Sequence, residues 1–307
     1  MSHSHHHDHH HHHVIHNYNR SFGIGIALNV IFVIIEVGYG LYADSLALIA
    51  DAGHNLSDVM SLILAWGASY LATKQPTHQR TYGLRKVTIM ASLLSSVLLF
   101  VALGGIAWES IERLSSPQAV NGSVIIIVAA IGVVINTATA LLFAKGQKHD
   151  LNIRAAYLHM AADAAISLGV VIAGIAIMLT DWIWLDPAIS LLIVLVILLS
   201  TWNLLRDSID LSIDAVPHGI DVTEIKNYLL DLENISNLHD LHVWALSTTE
   251  TALTVHLVTS NEFIDNCFLQ EIQEHLHHHF NIVHTTIQIE NETDGYVCIL
   301  NRDECKF

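Results

Sequence analysis

The stretches Leu46–Tyr70, LALIADAGHNLSDVMSLILAWGASY, and Arg154–Leu179, RAAYLHMAADAAISLGVVIAGIAIML, decide how this chain is read. Each is an apolar helix candidate with a polar knot in its first half. The first knot holds His54 and Asp58, the second His159 and Asp163. Both pairs are HxxxD, an i,i+4 spacing that stacks the two side chains on one helix face. One such pair alone reads as a local hydrogen bond. Two pairs with the same order and spacing read as a metal site, because imidazole nitrogen and carboxylate oxygen are zinc ligands and four of them complete a tetrahedral shell. A central Asp costs about 2.5–3.5 kcal/mol on membrane-insertion scales, so ionisable groups in apolar spans mark function.

The chain has 307 residues, 52% hydrophobic and 14% charged. That balance describes a membrane protein with a soluble part. The formal net charge of −16 is uneven: Asp207–Phe307 carries 18 Asp or Glu against three Lys or Arg. An acidic, His-rich region has cations as partners and excludes nucleic acid. The three cysteines, Cys267, Cys298 and Cys305, lack CxxC spacing and fit a reducing compartment rather than a disulfide framework. The start, MSHSHHHDHHHHHVIH, has ten His in sixteen residues and no basic-then-apolar signal-peptide pattern. Its Ser and Asp interruptions read as native sequence, with an expression tag as the alternative. Such a tract binds metal weakly and has too little apolar surface to pack.

Six apolar segments follow, at about Phe22–Tyr42, Leu46–Ala72, Thr88–Ser110, Val124–Lys145, Ala155–Thr180 and Leu185–Leu205. Each approaches the ~20 residues that span a bilayer, and in lipid they must be helices. Nine Lys or Arg (20, 74, 80, 85, 86, 145, 148, 154, 206) fall on one side and only Arg113 on the other. Both termini are therefore expected in the cytoplasm. Trp182 and Trp184 read as interface anchors. Asn29, Asn136, Thr137 and Thr139 read as interhelical hydrogen-bonding groups, and Glu36 as a candidate for a proton path. With these bounds, His54 and the His159–Asp163 pair differ in depth, so a broken, tilted or shifted helix is needed to level them.

After Pro217 the pattern changes to α-β-β-α-β: a helix over Asp221–Leu232, strands at His239–Leu246 and Thr251–Thr259, a helix over Asp265–Phe280 and a strand at His284–Glu290. This predicts a small open-faced α+β domain with its helices on one sheet face. The expected organisation is a His-rich tail over 1–20, a six-helix membrane domain over 21–206 and a cytoplasmic metal-binding and dimerisation domain over 207–307. In a regular strand His239 and His242 lie on opposite faces. His239, His256 and Glu290, with Cys267 as a thiolate that could join, form a candidate second metal site; solvated surface histidines are the alternative. His275, His277, His278 and His279 read as a loose metal sponge or a C-terminal helix cap.

These features resemble the cation diffusion facilitator family of metal/proton exchangers over nearly the whole chain. The motifs that carry the resemblance are ADSLALIADAGHNLSD (Ala43–Asp58), HMAAD (His159–Asp163), HDLHVW (His239–Trp244) and HTTIQIE (His284–Glu290). The resemblance implies a homodimer with a ferredoxin-like cytoplasmic domain, and a transport site at His54, Asp58, His159 and Asp163. It implies Zn²⁺ as the cargo and a possible regulatory ligand, protons as the counter-ion, and no organic cofactor. It also implies that Lys86 or Arg85 pairs with an acid such as Asp214. The family's loop ion site has only His78 here, and its last-strand His and Asp are Gln288 and Glu290.

The expected function is proton-coupled Zn²⁺ efflux by alternating access across a bacterial inner membrane. A membrane-anchored metal sensor without transport is the alternative. An intramembrane zinc hydrolase is disfavoured: there is no HExxH, and neither HxxxD pair has a Glu beside its His.

Overall fold

The computed structural model describes residues 19–116, 118–144, 151–260 and 266–291. The N-terminal His tract, Lys145, Lys148, Cys298 and Cys305 lie outside the described residues. Six long helices come first: α1 (Asn19–Ala43), α2 (Leu46–Ala72), α3 (Val87–Ser115), α4 (Gly122–Phe143), α5 (Leu151–Thr180) and α6 (Leu185–Ser212). Then follow α7 (Val222–Leu230), β1 (Ile235–Ala245), β2 (Thr251–Thr259), α8 (Asn266–Phe280) and β3 (Ile282–Asn291). By length and composition α3, α4, α5 and α6 can each cross a membrane, and α1 contains a shorter apolar run, Ala27–Ala43. α2 matches them in length at 27 residues but carries Asp51, His54 and Asp58. Large apolar side chains on the outside of these helices, such as Trp66, Trp108 and Leu199, suit a lipid solvent rather than water.

The chain forms two compact units, Met1–Asn55 with Arg113–Ile189, and Leu56–Glu112 with Ser190–Phe307. In the first, α4 packs along α5 and against α1. Glycine permits the approach. A Cβ on Gly132 would lie 2.6 Å from the buried Phe32 ring, and one on Gly174 would lie 2.9 Å from Ile126. Small residues at helix crossings let backbones come this close. The start of α2 is fixed by Asp186, whose carboxylate accepts from the Leu46 amide at 2.7 Å and from the Ser45 hydroxyl. It therefore supplies an N-cap from another helix.

In the second unit the C-terminal domain folds as α-β-β-α-β. β1 and β2 are antiparallel and β2 and β3 parallel, in the order β1-β2-β3, with α8 as the crossover. Asp221 caps α7 by accepting from the Thr223 and Glu224 amides. Ile225 and Leu229 of α7 and Ile272 and Leu276 of α8 close over Leu253, Val255 and Leu257 of β2, so both helices cover one sheet face. β1 is not a regular strand. Its register slips between His239 and His242, where Asp240 takes a φ of 53°. Leu238 and Val243, five apart, therefore both reach the core, and the alternation is offset by one. His239 and His242 consequently share the face away from the core, which corrects the opposite-face expectation for a regular strand. Beyond the domain, Lys86 pairs with Asp214 at 2.6 Å and Arg85 with Glu250 at 3.2 Å, while the Thr248 amide donates to Thr88 Oγ at 3.1 Å.

Candidate metal centre

Three of the four HxxxD side chains belong to the first unit, and they converge. His54 Nε2 lies 3.3 Å from Asp163 Oδ1, and His159 Nε2 lies 3.7 Å from Asp163 Oδ2. The two imidazole rings are 5.9 Å apart, nearly edge to face. Asp163 and His54 are buried, whereas the His159 side chain is 43% exposed. Asp58 is half-buried one turn beyond His54, on the same face of α2.

No break in either helix brings the pairs level. The depth offset expected from the span limits disappears for a different reason. The Asn121 amide donates to the Ala43 carbonyl at 3.4 Å, and Gly122 abuts the Gly174 backbone. The α1–α2 turn thus sits level with Gly174, not with the end of α5 at Thr180. His54 follows Ala43 by eleven residues and Asp163 precedes Gly174 by eleven. At about 1.5 Å per residue the two side chains reach the same depth.

Around this centre lies a buried polar layer that is only partly visible in the sequence. Glu36 Oε2 accepts from Asn55 Nδ2 at 3.2 Å, and Ser167 Oγ donates to Asp51 Oδ2 at 3.0 Å. Asn29 and Asn136 are also buried. Spacing singles out neither Asp51 nor Ser167; the sequence signal is that Asp51 stands three residues before His54, on the adjoining helix face.

In the C-terminal domain His239, His256 and Glu290 come together. His239 pairs across the β1–β2 ladder with His256, and their rings are 5.0 Å apart. His256 Nδ1 is 2.9 Å from Glu290 Oε1, and His239 Nε2 is 3.5 Å from Glu290 Oε2. One ligand atom from each falls within 4.8 Å of the others. Asp240 and Gln288 reach the same group, at 3.6 Å from His256 Nε2 and 3.0 Å from Glu290 Oε1 respectively. Cys267 is exposed in the first turn of α8 and stands apart from this group, because α8 covers the opposite sheet face. His275 stacks on Tyr228 at 3.8 Å and on His279 at 4.2 Å. Burial first, and then the His279 charge, pushes the His275 imidazole below its usual value of 6.5.

Two family models match this chain, one over each of its two parts. The cation efflux transmembrane domain matches residues 23–211, and the cytoplasmic domain of cation efflux proteins matches residues 217–292. The metal cation efflux system protein CzcD of Cupriavidus metallidurans is 36% identical over 272 residues, covering 88% of this chain and 86% of that one. The zinc transporter ZitB of Escherichia coli is 33% identical over 305 residues, covering 98% and 96%. A cadmium, cobalt and zinc/H(+)-K(+) antiporter of Bacillus subtilis is 36% identical over 270 residues, covering 86% of each. Among solved structures, the metal-bound C-terminal domain of the CzcD transporter is 35% identical, covering 23% of this chain and 99% of that one, with a TM-score of 0.22. The chain therefore belongs to the cation efflux, or cation diffusion facilitator, family: an integral membrane protein for divalent metal cation efflux, and not an enzyme.

Proposed function

We propose that the chain exports Zn²⁺ from a bacterial cytoplasm in exchange for protons, with His54, Asp58, His159 and Asp163 as the cargo site. The observation that carries this reading is the Asp163 carboxylate flanked by two imidazole Nε2 atoms from separate helices. A tetrahedral shell with bonds of roughly 2.0–2.1 Å has ligand-to-ligand edges of roughly 3.3 Å, the distance from His54 Nε2 to Asp163 Oδ1. Asp58, on the same face of α2 as His54, supplies the fourth ligand. Relatives named for zinc, cadmium and cobalt support a borderline divalent cargo, and two imidazoles favour zinc over harder ions.

Exchange follows from competition for lone pairs. Zn²⁺ binds deprotonated ligands, so loading releases protons. On the other side protons compete for the lone pairs of the His54 and His159 imidazoles, and the metal leaves. Two bundle arrangements, each favoured by a different occupant, complete the cycle. The basic bias of the loops supports cytoplasmic termini. The match to the family's cytoplasmic domain supports a homodimer. His239, His256 and Glu290 form a second, regulatory zinc site on that domain. The deciding experiment is zinc uptake into proteoliposomes, with and without an imposed pH gradient. Gradient-dependent uptake supports the reading, and zinc movement indifferent to pH overturns it.

A further inference from the structure

Two buried carboxyls stand beside the proposed ligands without serving as ligands themselves. Glu36 comes from α1 and Asp51 from α2, and both are 0% exposed. Each commits one oxygen to a neutral donor, Glu36 to the Asn55 amide and Asp51 to the Ser167 hydroxyl. Their remaining oxygens, Glu36 Oε1 and Asp51 Oδ1, have no donor, although the two carboxyls lie within hydrogen-bonding reach of each other. Two ionised carboxylates are both acceptors, so neither can satisfy the other, and their charges repel in a site closed to water. One proton between them supplies the missing donor and removes one charge, as in the shared-proton dyads of acid proteases.

We propose that Glu36 and Asp51 jointly hold one proton, and that metal loading at the neighbouring site drives this proton off. The inference rests on the reading of His54 and Asp163 as cargo ligands. It adds a proton-binding place that the metal never touches. The groups that face the pair set the sign of the coupling. From α2 comes His54 and from α5 comes Asp163, both electrostatically coupled to the pair. α4 brings no titratable side chain, only the buried Asn136 and Thr139. Asp186 of α6 is engaged with Ser45 and the start of α2. A dication placed between His54 and Asp163 raises the local potential, which favours the doubly ionised pair, and the proton leaves as H⁺.

The test is an infrared difference spectrum of the full-length protein in lipid on addition of Zn²⁺ near neutral pH, together with a pH-dye count of protons released per zinc. The wild type is expected to show the carbonyl band of a protonated carboxylic acid before zinc and to lose it on loading. Glu36→Gln and Asp51→Asn are expected to lack the band and to release about one proton fewer per zinc. Glu36→Asp is expected to restore a band. No acid band in the zinc-free wild type, or a band that survives zinc or persists unchanged in Glu36→Gln, overturns the proposal. A metal cation held by the pair in place of the proton leaves no band and overturns it equally. The wild-type spectrum needs no variant, so a misfolded mutant leaves the test intact. If the wild type shows the band but binds no zinc, the cargo reading and the release step fall together, while the shared proton stands.

Discussion

His54 Nε2 and Asp163 Oδ1 are 3.3 Å apart although 109 positions separate them in the chain. Each is buried, and each stands one helical turn from its HxxxD partner. With Asp163 flanked by both imidazoles, truncating it removes the shared acceptor and leaves His54 and His159 without their common counter-charge. Asp163→Ala is expected to reduce zinc-driven proton flux in proteoliposomes to background while the protein elutes at its wild-type size. His54→Asp, which replaces an imidazole with a carboxylate, is expected to keep transport and widen it toward cadmium. A metal preference equal to wild type would refute the ligand role of His54.

The cluster on the sheet makes a separate prediction. His239, His256 and Glu290 lie on the face left open by α7 and α8. Zinc that binds only the folded domain should stabilise it by RT ln(1 + [L]/Kd), about 2.7 kcal/mol at a hundredfold excess over Kd. His256→Ala is expected to abolish that zinc-dependent rise in melting temperature, whereas Cys267→Ser is expected to leave it intact.

Packing in the membrane unit is tested at Gly132. A methyl group there would sit 2.6 Å from the Phe32 Cζ and 3.1 Å from Ser167 Oγ. Gly132→Ala is expected to destabilise by about 1–3 kcal/mol, the range for overpacking. Thermal melting in detergent measures it, and adding Phe32→Leu should recover most of the loss. A melting point unchanged by Gly132→Ala would show that α1 and α4 have slack at this crossing.

His275 gives a pH dependence with a definite sign. Its folded value lies below the usual 6.5, chiefly through burial and then through the His279 charge, with Glu271 opposing. The unfolded chain therefore takes up the proton first as pH falls. The contribution is neutral above about pH 6.5 and turns destabilising as pH drops from there toward the folded value. Hydrogen-exchange protection of α7 and α8 should fall over that window. In His275→Phe, which keeps the stack on Tyr228, the fall should be shallower.

Much of this architecture is legible in the sequence because it depends on local regularities. Long apolar runs give the six helices, although α3 and α6 run five and seven residues past the expected ends at Ser110 and Leu205, and i,i+4 spacing survives any packing. The alternation of TALTVHLVT gives β2 directly. What the sequence conceals is set by partners on other elements. Asp186 looks like an ordinary residue near a loop, yet it caps α2 from across the bundle. Asp51 acquires its meaning from Glu36 and Ser167, on helices remote in sequence. The slip at Asp240 depends on a positive φ that a single Asp does not announce. The level of the α1–α2 turn depends on a backbone bond from Asn121.

That turn has an evolutionary corollary. Because Ala43 is pinned to Asn121 and Gly122 to Gly174, the eleven-residue stretches to His54 and from Asp163 act as matched rulers. Inserting or deleting one residue in either would swing the imidazole or carboxylate by about 100° and shift it by about 1.5 Å. Length variation among descendants of this sequence should therefore be purged from Ala43–His54 and Asp163–Gly174, and gather instead in the connections, such as Thr73–Lys86, where no such register is at stake.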